Sequence, residues 1–214
     1  MSAEHGSRRR FLAGIGAAAR GPVVPGPHPP PTATPDVPVV DYVNLPAERT
    51  QESLVAAFVT AATEAGARIA TPEELPSICA EHDLRRGVLS AEPDAAALAA
   101  FLEGAGVVLG PYERSAAAAA DVGLTSCVAA VAATGSVVVD SWVAGSRAAS
   151  LLPRVHICAV RRSGVVATPG DVLRSGRPLP SNLVFITGPS RTGDIEQILT
   201  TGVHGPTHVI HVLI

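Results

Sequence analysis

The chain has 214 residues, of which 47% are hydrophobic, and a net charge of −3. It is long enough to bury one substantial core, and it lacks the basic surface typical of nucleic-acid-binding proteins. Only 3% of the residues are aromatic, so the core is built from Val, Leu, Ile and Ala, as is typical of a parallel sheet covered by helices. The longest mostly apolar run, residues 127–139, is too short to cross a bilayer.

Residues 1–46 are predicted to form a short helix and a linker that precede the folded domain. Three arginines at positions 8–10 resemble a twin-arginine export signal, but the apolar stretch after them is too short. Residues 14–19 read GIGAAA, which matches a dinucleotide-binding pattern only in its letters, because no strand precedes it. Residues 21–46 contain nine prolines and are predicted to be extended.

Residues 47–214 are predicted to form one α/β domain. Apolar positions at helical spacing predict helices over 49–65 and 93–102, and Thr71, Pro72 and Glu74 have the spacing of a capped helix start. Short apolar runs predict strands at 68–70, 87–89, 107–109, 136–140, 155–160, 164–167, 182–187 and 207–213. Alternating helices and strands indicate a three-layer, Rossmann-like arrangement with a mainly parallel sheet. The adjacent runs at 124–140 and 155–167 add antiparallel hairpins inserted in that sheet or at its edge.

The cysteines and histidines do not predict a metal site. Cys79, Cys127 and Cys158 are far apart and form no CxxC pair, which argues against a disulfide framework, a zinc site or an iron–sulfur cluster held by this chain alone. A reducing, cytoplasmic location is expected. His208 and His211 are three residues apart on a predicted strand and therefore face opposite sides.

The loop from Gly188 to Asp194 is the main candidate for ligand binding. It connects a predicted strand to a predicted helix over residues 194–200, and the N-terminus of a helix attracts anions. The backbone at Gly188, the hydroxyls of Ser190 and Thr192, and the Arg191 guanidinium could bind a phosphate or carboxylate. The alternative is structural: Thr192 or Asp194 caps the helix, and Arg191 pairs with a surface carboxylate.

Two further loops supply candidate residues. Thr134, Gly135 and Ser136 form a small polar loop between apolar runs. His204 lies in the turn between Gly202 and Pro206 and is a candidate general base, although a turn histidine that bonds to nearby backbone is the favoured interpretation.

Several motifs occur in the order typical of one family: residues 120–125 (ADVGLT), 134–136 (TGS), 152–157 (LPRVHI), 188–196 (GPSRTGDIE) and 202–206 (GVHGP). The series resembles the lactate-utilization protein C, or LUD-domain, family. The resemblance implies a fold of the NagB/RpiA/CoA-transferase-like type, similar to 5-formyltetrahydrofolate cyclo-ligase. It also implies a subunit of a system that oxidises L-lactate to pyruvate. Such a subunit carries no cofactor of its own and works with partner proteins that carry iron–sulfur clusters.

One departure from the family pattern leaves alternatives open. The family often has an acidic residue directly before the Thr-Gly-Ser loop, and this chain has Ala133 there. If that carboxylate is catalytic in relatives, this chain lacks it. A stand-alone enzyme of the isomerase or CoA-transferase type, acting on a phosphorylated or CoA substrate, is the second hypothesis, and a small-molecule sensor is the third. The sequence does not exclude a homo-oligomer.

Overall fold

The computed structural model describes residues 45–140, 148–176, 180–192, 200–202 and 204–214. The predicted N-terminal helix, residues 14–19 and most of the Pro-rich linker lie outside the described residues. Asp194 also lies outside them, with the greater part of the helix predicted over 194–200. The domain boundary at residue 47 therefore stays a prediction.

The first half of the described chain alternates helices with short parallel strands. Its elements are α1 (Gln51–Glu64), β1 (Arg68–Ala70), a 3-10 turn (Pro72–Glu74), α2 (Leu75–Glu81), β2 (Arg86–Leu89), α3 (Pro93–Gly104), β3 (Val108–Pro111) and α4 (Arg114–Ala118). Helix α1 begins where the Thr50 side chain accepts a hydrogen bond from the Ser53 amide, 3.2 Å away. The predicted cap at Thr71 is also present, since the Glu74 carboxylate accepts a hydrogen bond from the Thr71 amide at 2.8 Å.

The second half is richer in strands. Its elements are β4 (Val122–Ser126), β5 (Ala129–Val131), β6 (Ser136–Asp140), α5 (Ala148–Leu151), β7 (Val155–Val160), a 3-10 turn (Arg162–Gly164), β8 (Val165–Val166), α6 (Pro169–Leu173), β9 (Leu183–Ile186), β10 (Arg191–Thr192), β11 (Thr200–Thr201) and β12 (His208–Leu213). Strands β4 and β7 are buried along their whole length, as continuous apolar runs in a parallel sheet should be.

Six strands form one parallel sheet in the order β1-β12-β7-β4-β2-β3. From β2 the chain moves outward to β3, then returns to β4 and proceeds in the other direction to β7 and β12. The order of strands therefore reverses between β2 and β4. One face of this sheet packs against α2 and α3 through a core that includes Leu75, Ile78, Leu102 and Ile157.

The other face of the parallel sheet packs against α1 and a second, smaller sheet. This sheet has the order β8-β5-β6-β9, with antiparallel pairs β5–β6 and β6–β9. Phe58 of α1, Cys158 of β7 and Val137 of β6 share this second core. The mixed α/β class with a mainly parallel sheet is thus confirmed, but the predicted antiparallel hairpins form a separate sheet instead of lying within the parallel one or at its edge. In the described part of the chain, no helix has the length and hydropathy needed to span a membrane.

Two histidines lie in the core, on the face of the parallel sheet that α1 covers. His156 and His211 are fully buried, whereas His208 is exposed, which confirms that His208 and His211 face opposite sides of β12. The His156 Nε2 atom is 2.9 Å from the Thr125 hydroxyl, while its Nδ1 atom and both ring nitrogens of His211 have no hydrogen-bond partner. Burial lowers the pKa of His156 to about 4, and burial together with the nearby His156 lowers the pKa of His211 to about 3.

Candidate anion-binding loops

Two predicted loops rest on the C-terminal end of α1, each through a glycine. Gly135 and Gly188 have φ angles of +66° and +69°. A Cβ atom on Gly135 would lie 2.2 Å from the Ala62 amide nitrogen, and one on Gly188 would lie 2.2 Å from the Ala65 carbonyl oxygen. Both positions require glycine, because the backbone is left-handed and the neighbouring atoms belong to a helix backbone. The two loops are therefore fixed beside each other.

A chain of hydroxyl groups joins the two loops. The Thr134 Oγ1 and Ser136 Oγ atoms are 2.7 Å apart, and the Ser136 Oγ and Thr187 Oγ1 atoms are 2.6 Å apart. Ser136 is buried and Thr187 is exposed. Two hydrogen bonds use two of the three hydroxyl protons, so one proton remains for a further acceptor. Thr187 was not among the predicted site residues, although it directly precedes Gly188 in the sequence.

Replacing Ser136 with alanine should lower the free energy of unfolding by about 1–3 kcal/mol, because both threonine hydroxyls lose their shared partner. Urea denaturation measures this loss. The matched control is Ser115→Ala, at an exposed position of α4, which should change stability by less than about 0.5 kcal/mol. Equal midpoints for the two variants would show that the hydroxyl chain contributes nothing to stability.

Arg191 contacts the same helix end. Its Nη2 atom donates a hydrogen bond of 2.6 Å to the Ala65 carbonyl oxygen, just after the last residue of α1. A cation at this end of a helix is favourable, since the terminal carbonyl groups carry partial negative charge. A carbonyl oxygen does not neutralise a guanidinium, however, and among the described residues no carboxylate forms an ion pair with Arg191. The surface carboxylate expected as its alternative partner is thus not found in this part of the chain.

The turn that carries His204 lies against the same loop. The Ser190 amide donates to the Pro206 carbonyl at 3.0 Å, and the Gly202 amide donates to the Ser190 carbonyl at 2.8 Å. His204 is exposed and is followed by Gly205, whose Cβ position lies 3.2 Å from the Ser190 Cβ atom. The structure therefore brings together residues from 134–136, 187–191 and 202–206.

The helix predicted after this loop, over residues 194–200, is wrong at its C-terminal end. Thr200, the last residue of the predicted helix over 194–200, lies in β11, which pairs antiparallel with β10 through Thr192 and Thr200. The strand pairing takes the backbone groups that a helix would have used. The described residues thus present hydroxyls, backbone amides and the Arg191 guanidinium.

A buried carboxylate lies elsewhere in the fold and was missed from the sequence. Glu92 is 4% exposed, and its Oε2 atom accepts hydrogen bonds from the Ser90 hydroxyl and, at 3.0 Å, from the Ser126 amide. Ser90 and Ser126 lie at the carboxyl ends of β2 and β4, where the strand order reverses and where α/β sheets commonly bind ligands. The only signal in the sequence is an acidic residue between an apolar strand and the proline that starts α3.

Comparison with known protein families finds a match for the second half of the chain. Residues 112–214 match the family model of the LUD domain. These residues, just under half of the chain, are similar to the LUD-domain family. The match begins directly after β3, so it includes all three candidate loops, whereas α1 and Glu92 precede it.

Relatives of the LUD domain include proteins named lactate utilization protein C. The one from Deinococcus radiodurans is 43% identical over 96 residues, which are 41% of this chain and 43% of the relative. The one from Bacillus subtilis is 37% identical over 102 residues, which are 44% of this chain and 42% of the relative. The chain therefore matches less than half the length of these relatives.

The fold comparison extends further along the chain. The crystal structure of a DUF162 family protein from Deinococcus radiodurans is 26% identical and superposes with a TM-score of 0.53. The superposition covers 78% of this chain and 99% of that protein. The elements before the LUD match, α1 to β3, are thus part of the same α/β fold.

Proposed function

We propose that this chain takes part in lactate utilization, as a subunit of a system that oxidises L-lactate to pyruvate. Two observations support the proposal. The relatives of its LUD domain are named lactate utilization protein C. The motifs that carry the family resemblance also include the two loops that rest on the end of α1 and the His204 turn that contacts one of them.

Within this role, a small anion binds at the loop from Gly188 to Asp194. The observation that carries this step is the Arg191 guanidinium, which is exposed and paired only with a neutral carbonyl among the described residues. Arginine has five N–H donors, and the bond to Ala65 uses one of them. Each charge-assisted hydrogen bond contributes about 1.5–3 kcal/mol, so two or three of them give millimolar to micromolar affinity for a carboxylate or phosphate.

The neighbouring side chains add polarity to this site. Thr187 and Ser190 offer hydroxyl groups on either side of Gly188 and Pro189, and the Thr134–Ser136 pair supports Thr187 from within the protein. Thr192 and Asp194 complete the predicted loop. His204 is exposed in the adjoining turn and is the candidate general base toward a bound hydroxy acid.

Electron transfer requires partner proteins. Oxidation of L-lactate to pyruvate releases two electrons and two protons, and this sequence contains neither a CxxC pair nor a sound dinucleotide-binding motif. Iron–sulfur proteins of the same system are the acceptors that the family resemblance implies. Lactate oxidation should therefore appear only when such partners are added to the purified chain.

Thermal unfolding with L-lactate, pyruvate and phosphate tests the anion site. Ligand bound only by the native state stabilises it by about 2.7 kcal/mol at one hundred times its Kd. At least one of these anions should raise the Tm of the wild-type chain, compared with sodium chloride at equal ionic strength. Arg191→Ala should abolish the rise, because it removes the only cation that the described part of the loop presents.

The matched control is Arg114→Ala, which removes the same charge from an exposed position of α4 and should keep the rise. Arg191→Ala also loses the bond to Ala65, so each ligand-induced shift is compared with the same variant without ligand. A full shift in Arg191→Ala would place the anion elsewhere. No shift with any anion in the wild type would leave only a role in assembly with partners.

A second candidate function rests on Glu92. The chain lacks the acidic residue expected before the Thr-Gly-Ser loop, but a buried carboxylate lies where the strand order reverses. A stand-alone isomerase or CoA-transferase-like enzyme would need such a group as base or nucleophile. Turnover of sugar phosphates or acyl-CoA by the purified chain, lost in Glu92→Gln, would favour this function over a partner-dependent one.

A further inference from the structure

Gly66 lies against the Arg191 guanidinium, directly after Ala65, the residue that caps the C-terminal end of α1. Its φ angle is +91°. A Cβ atom on Gly66 would lie 2.2 Å from the Arg191 Nη2 atom and 3.5 Å from the Arg191 Cζ atom. Any side chain at position 66 would therefore occupy the space that the guanidinium fills. Arg191 reaches the end of the helix because this residue is glycine.

Arg191 in turn satisfies a carbonyl group at the end of α1. The backbone amides of Ala65, Gly66 and Ala67 donate to earlier carbonyl groups of the helix at 2.9 or 3.0 Å. Among the described backbone amides, none donates to the Ala65 carbonyl, and this oxygen accepts the bond of 2.6 Å from the Arg191 Nη2 atom. Since the last carbonyl groups of a helix have no partner within it, this bond holds the guanidinium in one place.

The fixed position of the guanidinium matters for a ligand because Arg191 is exposed. A long exposed side chain samples many rotamers, and a ligand that binds it must restrict them. Ordering one such side chain on binding weakens the affinity by about three- to tenfold. The bond to Ala65 uses one of the five N–H donors, so the fixed guanidinium still presents the other four to an anion.

We propose that Gly66 is a positioning residue for the anion site. By leaving room for the guanidinium against the Ala65 carbonyl, it presents Arg191 in an ordered state to a carboxylate or phosphate. The inference rests on the anion site proposed at Arg191. It gives a role in that site to a residue that precedes the family match, which begins at residue 112.

The end of α3 provides a matched comparison within the same chain. Ala105 and Gly106 follow α3 as Ala65 and Gly66 follow α1, and Gly106 has a φ angle of +86°. A Cβ atom on Gly106 would meet nothing within 4 Å. Alanine at either position adds a side chain to a left-handed residue after a helix. Only at position 66 does the new side chain displace a guanidinium.

Calorimetric titration of the full chain with sodium L-lactate and, separately, with sodium phosphate tests the inference at constant ionic strength. Gly66→Ala should weaken the binding of each anion that the wild type binds by about three- to tenfold, because Arg191 is no longer ordered beforehand. Gly106→Ala should bind as tightly as the wild type. If Gly66→Ala unfolds, as judged by circular dichroism, Gly66→Asn and Gly106→Asn replace the pair. Asparagine adopts a left-handed backbone more readily and still carries the Cβ atom.

Chemical modification reports the position of the guanidinium without any ligand. Phenylglyoxal reacts with accessible guanidinium groups, and peptide mass spectrometry gives the rate at each arginine. The rate at Arg191 should rise in Gly66→Ala and stay unchanged in Gly106→Ala. Arg114, at an exposed position of α4, is the internal reference.

The outcomes separate the positioning role from the anion site itself. Equal affinities in Gly66→Ala and Gly106→Ala, with binding abolished in Arg191→Ala, would overturn the positioning role and leave the anion site intact. An unchanged rate at Arg191 in Gly66→Ala would also overturn the positioning role, because the guanidinium would not have moved. Binding that persists in Arg191→Ala, or no binding in the wild type, would overturn both.

Discussion

Gly135→Ala should lower the free energy of unfolding by about 3 kcal/mol or more. The new Cβ atom would lie 2.2 Å from the Ala62 amide nitrogen and 2.5 Å from the Ala61 carbonyl carbon. Both atoms belong to the backbone of α1, so relief requires movement of the helix or of the loop. Overpacking of this kind costs about 1–3 kcal/mol, and a left-handed backbone at a residue with a side chain adds about 1–2 kcal/mol. Urea denaturation of the variant measures the sum.

Gly106→Ala is the matched control, because it separates strain from overpacking. Gly106 also has a positive φ angle, +86°, but a Cβ atom there would meet nothing within 4 Å. The free energy of unfolding of this variant should fall only by the cost of a left-handed backbone at alanine, about 1–2 kcal/mol. Equal losses of stability in the two variants would mean that the end of α1 moves to accommodate the new Cβ atom. The two candidate loops would then not be rigidly packed against the helix.

Acidification from pH 7 to pH 5 should cost the wild-type chain about 4 kcal/mol of stability through its two buried histidines. Their pKa values in the folded protein, about 4 and about 3, lie below the ordinary value of about 6.5. Between pH 6.5 and the pKa values in the folded protein, the unfolded chain therefore binds protons that the folded chain does not. The free energy of unfolding decreases as the pH is lowered through this range. At pH 5 each histidine contributes a loss of about 2 kcal/mol.

His211→Leu should remove about half of this loss. At pH 7 the variant should be at least as stable as the wild type, because a side chain of similar size replaces a ring whose two nitrogens have no partner. His208→Gln, on the exposed side of the same strand, is the matched control and should keep most of the loss, because both buried histidines remain. Urea midpoints between pH 7 and pH 5 test this. A wild-type slope that persists in His211→Leu would mean that other groups cause the acid sensitivity.

The local pattern of the sequence predicted the elements well where burial repeats with a simple period. Helix α1 and the buried strand β7 were placed within two residues, because their apolar positions follow helical spacing or form a continuous run. The opposite faces of His208 and His211 followed from the alternation of a strand. The second sheet was not predicted as separate, since pairing between β6 and β9 joins segments more than forty residues apart.

The candidate site was predicted in part, and the missing part is non-local. The loops at 134–136, 188–192 and 202–206 were recognised from their polar residues and glycines. The partner of Arg191, in contrast, is a carbonyl group 126 positions earlier in the chain, and a backbone atom leaves no signal in a sequence. Glu92 was missed for a related reason, since its burial depends on β4, whose Ser126 amide binds it.

The glycine contacts with α1 also bear on how this fold diverges among relatives. At Ala61, Ala62 and Ala65, the loops meet backbone atoms that every amino acid possesses. Selection that preserves the loops therefore preserves the position of the helix end without fixing most of its side chains. Sequence similarity is then lost in the part of the chain before residue 112, where the family match begins. The helix still supports the loops, because its backbone position is unchanged. In distant relatives the helix should be recognisable by superposition long after it has become unrecognisable by alignment.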